Sequence, residues 1–434
     1  MKRIWLFSLV CSLLLPFVGC NQHSSTSSSE DHVGLFPAVS GDKWGYIDKT
    51  GKFVVEPQFD DAWDFSQGLA KVEVGDKYGY IDKTGKFVVE PQFDGIEDFS
   101  EGLAIVQVNG RYGFIDKVGN LVVKPRFDQA WDFSDGLAAV AIDGKYGFID
   151  KTGKLVIKPQ FDGVFDDLDY MLVGDSTKNT NVRHVSFFKE GLAAVAIGGK
   201  LGCIDKNGEV VIKPQFDWIE GFSQGLAIVE VGDKYGYIDK TGKIVIEPQF
   251  DWADDFSEGL AQVRIGKLGD DKCGIIDKTG KYVIQPQFDV ILHFFEGLAI
   301  VTINGKSGYA NKAGEIVIKP QFDWAEEFLE GLADVRISDK WGYINKAGEV
   351  VIKPQFDRAE GFSEGLARVG NNDKYGFIDK TGKFVIEPQF DWAGNFWGGL
   401  AFVRIGEKSG YIDKTGKEIY MWEVKVVKSE GGIL

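Results

Sequence analysis

An aromatic–Gly–aromatic tripeptide sets the rhythm of this chain. It starts at Trp44, Tyr78, Tyr112, Tyr146, Tyr235, Trp341 and Tyr375, with weaker copies at Leu201, Cys273, Ser307 and Ser409. Most successive starts lie 34 residues apart, and only the gaps after Tyr146 and Tyr235 are longer. A segment of that size cannot bury a stable core alone, so each copy must lean on its neighbours. Repetition is therefore first a solution to burial, and any chemistry has to be argued separately.

A period of 34 residues also belongs to helical repeats, so the content has to decide the fold. The stretch "LAKVEVGDKYGYIDKTGKFVVEP" (Leu69 to Pro91) places β-branched and aromatic residues between turn signals, with no apolar stripe at helical spacing. Asn109-Gly110 and Asp143-Gly144 are dipeptides that accept positive φ and favour two-residue hairpin turns. In "DKTGK", Asp82 suits a turn cap and Gly85 the left-handed position. Pro91 is expected to end the third strand, and "FDGIEDFSEGL" (Phe93 to Leu103) to cross to the next unit with a short helical turn. The pattern predicts an all-β chain, a tandem array of three-stranded antiparallel meanders. Eleven short units favour an open, solenoid-like or superhelical array over the alternative, a closed propeller-like ring.

Lys2 and Arg3 precede an apolar run, Ile4 to Val18, that is too short for a membrane span, so residues 1–19 read as an export signal. "PFVGC" resembles a bacterial lipobox, which makes Cys20 the expected lipid attachment site, with Phe17 departing from the usual Leu. Residues 20–32 form a Ser-rich tether without core-forming residues. The repeat array is assigned to 33–428, broken by an insertion at about 163–187, and a tail covers 429–434. Cys203 and Cys273 fall in slots where other copies carry aromatic residues, so they read as small buried hydrophobes and not as a disulfide.

The motif "KWGYIDKTGK…PQFD…FSEGLA" resembles the WG repeat family, also called KWG repeats, over roughly residues 33–420. That resemblance implies a bacterial, exported or surface-associated repeat protein and supplies no catalytic residue.

Function classes narrow further by charge and by what the residues fail to form. A formal net charge of −16 disfavours a nucleic-acid partner. The four His residues, His23, His32, His184 and His293, make no motif, and no phosphate loop or nucleophile elbow is present. No metal, cofactor or catalytic residue is assigned, and the chain is read as a non-enzyme. Two acidic ladders, one including Asp48 and Asp82 and the other Asp60 and Asp94, are too uniform for an acid–base pair and suit turn capping.

After each Phe-Asp the next position varies, yet it holds Trp218, Trp252, Trp324 and Trp392. The same slot accepts Asp61, Gly95, Gln129 and Arg358, a tolerance that marks it as partly exposed. These four Trp are the candidate ligand-binding residues, suited to stacking on sugar rings or anchoring a protein, while packing between units is the plainer role for them. The expected function is an exported, lipid-anchored envelope protein, or a secreted one, that presents a repetitive surface to an envelope protein or glycan. A carbohydrate-active envelope enzyme and a structural spacer are the alternatives.

Overall fold

The computed structural model describes residues 34–165, 184–197, 199–266, 271–292 and 294–423. The signal, the tether, Cys20, most of the insertion and the tail therefore lie outside the described residues. The rest is built from eleven sheets, nine of them four-stranded and all antiparallel except for one edge pair, with no helix among the described residues.

One unit shows how the repeat folds. Strands β4 (Asp61–Ser66), β5 (Leu69–Val74), β6 (Lys77–Asp82) and β7 (Phe87–Phe93) lie in that order in their sheet. The β5–β6 hairpin turns at Gly75 and Asp76, both at positive φ, and Asn109-Gly110 and Asp143-Gly144 do the same in later units. At the β6–β7 turn Gly85 takes a φ of 82°, and Asp82 Oδ1 accepts from Thr84 N at 2.8 Å and Lys86 N at 3.2 Å.

Three local expectations change. Each unit after the first gains a leading strand, in most blades directly after the Phe-Asp pair and in six of them only two residues long, such as Trp252–Ala253. The linker that follows closes through an isolated bridge, such as Ser257↔Leu260, instead of a helical turn. Pro91 does not end its strand: Tyr78 pairs with Phe93 and Tyr80 with Val89, so Glu90, Pro91 and Gln92 bulge opposite Gly79 alone. A bulged residue donates no ladder bond, which is why proline is tolerated there. The same bulge explains the glycine of the tripeptide. A Cβ on Gly236 would lie 2.5 Å from Ile246 O and 2.6 Å from Pro248 N.

Neighbouring sheets pack face to face. Tyr46, Val55 and Phe59 of the first sheet share a buried cluster with Ala62, Phe65, Ala70 and Val72 of the second. The Tyr46 ring meets Phe65 with centroids 4.9 Å apart, and its hydroxyl donates to Trp63 O at 2.6 Å. Tyr80, Tyr237, Tyr309 and Tyr343 repeat that bond onto the next sheet.

The array closes, which corrects the expected open solenoid. Strands β1 (Phe36–Ser40), β2 (Lys43–Ile47) and β3 (Phe53–Phe59) of the first sheet meet the last sheet, which ends in β43 (Lys408–Asp413) and β44 (Glu418–Glu423). Tyr411, in the slot of Tyr46, donates its hydroxyl to Pro37 O at 3.2 Å, so the joint is a variant of the others. Phe36, Ala38, Ile47, Leu400 and Tyr411 form its core. The result is a propeller-like ring of eleven blades.

A ring has no unpacked terminal face, and the closing joint shows how that is achieved. The first sheet lacks the leading strand, and elsewhere amides flanking that strand cap carbonyls of the adjacent one, as Asp60 N caps Glu73 O and Glu97 N caps Ile105 O. Here Tyr420 OH caps Val39 O at 3.0 Å and Tyr411 OH caps Pro37 O. Pro37 has no N–H, so it offers no donor for another strand. Replacing Tyr411 and Tyr420 together by Phe should cost about 2 kcal/mol at this joint. Amide exchange should then accelerate in 36–47 and 400–423 while the other blades keep their protection. Equal loss of protection all round would disprove a seam held by these hydroxyls.

The described ends of the insertion join the edge of one blade. His184–Ser186 fills the leading-strand slot beside Leu192–Ile197, and Gly163–Phe165 pairs parallel to it as a fifth strand.

Candidate binding face

Register places the slot after Phe-Asp at one end of a cross-strand row. Trp252 lies opposite Arg264, which lies opposite Cys273, and Trp324, Arg336 and Trp341 make the same row two blades on. Trp392 faces Arg404, and Trp218 faces Glu230. The four candidate Trp thus occupy equivalent positions on four separate blades and do not converge on one pocket.

Their environments differ. Trp324 is 51% exposed, and its Nε1 donates to Glu326 Oε1 at 2.6 Å. Trp252 is half-buried beneath the Arg264 guanidinium, 5.1 Å from the ring centroid, a favourable cation–π geometry. Trp392 is half-buried with its ring centroid 5.8 Å from Phe402. Trp218 is half-buried against the core cluster of its joint.

The acidic ladders are occupied by structure. Asp251, just before Trp252, accepts from Lys234 Nζ at 2.6 Å and from Gly266 N at 2.9 Å, tying the strand junction to the hairpin turn. Asp239 accepts from Thr241 N, Thr241 Oγ1 and Lys243 N. The hydrogen bond from Lys234 holds the Asp251 carboxyl below its ordinary range, and that from Thr241 does so for Asp239. Permanently ionised, turn-capping carboxylates lack the unlike environments that an acid–base pair requires. Cys203 and Cys273 are buried and free. No group of His, Cys, Asp and Glu among the described residues is arranged to hold a metal ion.

Two features escaped the sequence reading. The first is a pair of clefts at joints between blades, each of about 280 Å³. One is lined by Tyr112, Gln129 and Trp131, the other by Arg358, Gly370, Tyr375 and Trp392. The second is the variable residue of Leu-Ala-x-Val. It points into a joint, where Ile105, Ile228 and Ile300 are buried but Asp334 and Arg368 are polar. Both were marked in the sequence as departures from the repeat consensus, at Gly370 and at Asp334, and needed the joint geometry to acquire meaning.

The family described as WG containing repeat matches ten tandem segments: 44–78, 78–112, 112–146, 146–167, 202–235, 235–268, 274–306, 308–341, 341–375 and 375–408. No curated protein matches the chain. Among solved structures, the extracellular domain of a putative hybrid two-component system from B. thetaiotaomicron is similar at 13% identity and a TM-score of 0.25, covering 88% of this chain. The alignment covers 62% of that domain. Kluyveromyces lactis Hsv2p is similar at 9% identity and a TM-score of 0.30, over 56% of this chain and 89% of its own. PorZ, a surface component of the type-IX secretion system of Porphyromonas gingivalis, is similar at 10% identity and a TM-score of 0.22, over 85% of this chain and 71% of its own.

Proposed function

The chain belongs to the WG-containing-repeat family, and from that premise we propose that it is an exported, lipid-anchored envelope protein whose ring presents a repeated binding surface to a protein or glycan. The observation that carries this reading is the row of Trp at one equivalent slot on separate blades, with Trp324 half exposed and held in place by Glu326. Large aromatics on a rigid sheet lose little entropy on binding, and so make effective anchors. Their repetition lets individually weak contacts add through avidity. Export rests on residues 1–19 and anchoring on Cys20, with residues 20–32 as the leash.

Changing Trp252 and Trp324 together to Ala is expected to weaken capture of the envelope partner at least tenfold, given typical losses at aromatic anchors. Crosslinking in the native cell, followed by mass spectrometry of what is captured, measures it. The thermal transition should stay within a few degrees of the parent. Undiminished capture, or collapse of the ring, would count against a recognition row.

A further inference from the structure

We propose that the cleft between the tenth and eleventh blades is a subsite for one hexopyranose residue of a glycan, an inference that rests on the binding-surface reading above and narrows it to one joint and one ligand class. The tenth blade contributes Arg358, Gly370 and Tyr375, and the eleventh contributes Trp392.

One residue helps keep the cleft open. Gly370 stands between Arg358 and Tyr375 in its row, where seven other blades carry Glu73, Gln107, Glu230, Arg264, Thr302, Arg336 or Arg404 and three carry Val39, Ala141 or Ala196. A Cβ on Gly370 would come within 3.3 Å of Arg358 Cβ and 3.4 Å of Tyr375 Cε1. Without a side chain there, Arg358 Nη1 donates to Tyr375 OH at 2.6 Å, and the space above the row stays open.

The lining selects the ligand. Tyr375 and Trp392 give two aromatic surfaces, and Arg368 reaches both, with its guanidinium carbon 5.3 Å from the Tyr375 centroid and 5.9 Å from that of Trp392. Arg368 itself is tied to Glu360 and Ala393 O, so it braces the two blades. Around the mouth, Asp391 is neutralised by Lys374 and Asp357 by Lys340, each at 2.5 Å. A compensated mouth offers no net attraction to an anion. It does offer carboxylate acceptors and guanidinium donors beside aromatic faces, which suits a neutral polyhydroxyl ring whose C–H face stacks and whose hydroxyls pair. The volume of about 280 Å³ lies just below the range of about 300–1,000 Å³ for drug-sized ligand sites, which fits a subsite for a single ring.

The test uses the full chain with chitotetraose, cellotetraose and maltotetraose as probes, read by saturation-transfer NMR and Trp fluorescence. One tetrasaccharide class should bind the parent at one site per chain. Gly370→Glu restores the side chain found beside Tyr78 and Tyr235, so it should fold normally yet weaken that binding at least tenfold. A Val118→Ser variant, at an exposed turn position remote from the binding residues, should keep it. Unchanged binding in Gly370→Glu overturns the subsite, as does an equal loss in Val118→Ser. Absence of any tetrasaccharide binding also overturns it. Cellular crosslinking to a protein partner would then separately decide whether the broader surface reading survives.

Discussion

Gly236→Ala is expected to unfold its blade locally, at a cost of about 3 kcal/mol, the upper part of the overpacking range. Its added methyl would meet Ile246 O at 2.5 Å and Pro248 N at 2.6 Å, and both are backbone atoms of the bulged strand. A side chain could rotate away from such a contact. A bulge pinned by Pro248 and by pairing of Tyr235 with Phe250 and Tyr237 with Ile246 cannot move so cheaply. Displacing it also disturbs the bond from Tyr237 OH to Asp254 O at 2.7 Å, which joins this blade to the next. Amide exchange should therefore rise in strands 234–250 and in the leading strand at 252–253. Gly259→Ala is the contrasting control: no atom lies within 4 Å of its would-be Cβ, and its φ of 80° carries only the ordinary left-handed penalty. Equal effects of the two changes would refute a steric role for the tripeptide glycine.

Asp334→Ile should stabilise the ring, and by an amount that depends on pH. Asp334 is 1% exposed, and its Oδ1 has no hydrogen-bond partner. Burial, reinforced by the nearby Glu326 and Glu360 carboxylates, pushes its carboxyl up to about 7 from 3.8. Tyr309 and Tyr343 also face it, and the Arg368 guanidinium, which lies near Tyr343, is committed to Glu360 and Ala393 O. A carboxyl whose folded pKa is raised binds its proton more tightly in the folded state. Its penalty is therefore absent below about pH 4, grows as pH rises, and is complete above about pH 7. The ceiling on that penalty is about 4 kcal/mol. Since Ile228 and Ile300 occupy the same slot in other blades, Ile fits without overpacking. Urea titrations should show a gain of a few kcal/mol at pH 8 that shrinks markedly by pH 4.5. A gain independent of pH would mean that packing, and not the buried charge, sets the cost.

Much of the fold was legible because the repeat reports it eleven times. The hairpin at Asn109-Gly110, the capped turn at Asp82, and the burial of Cys203 and Cys273 each followed from local preferences that recur in every copy. Pro91 misled because its rule holds for paired ladder positions, and a bulge exempts it. The short leading strands at Trp252 and Trp324 hid because two residues carry no periodicity. At the candidate site, the Trp slot was visible as tolerance to substitution, whereas the cleft beside Trp392 required knowing that Gly370 and Tyr375 of one blade face the next.

Sequence alone determined the class and size of the unit, the turns, and the dependence of each unit on its neighbours. Those properties rest on interactions within about 34 residues, where chemistry and spacing suffice. Only the tertiary structure decided that the array returns to its start. Closure depends on small rotations summed over eleven joints, and on Tyr411 and Tyr420 meeting Pro37 and Val39 more than 370 residues earlier. No local pattern encodes a sum of angles, and the same sum shapes the clefts between the blades.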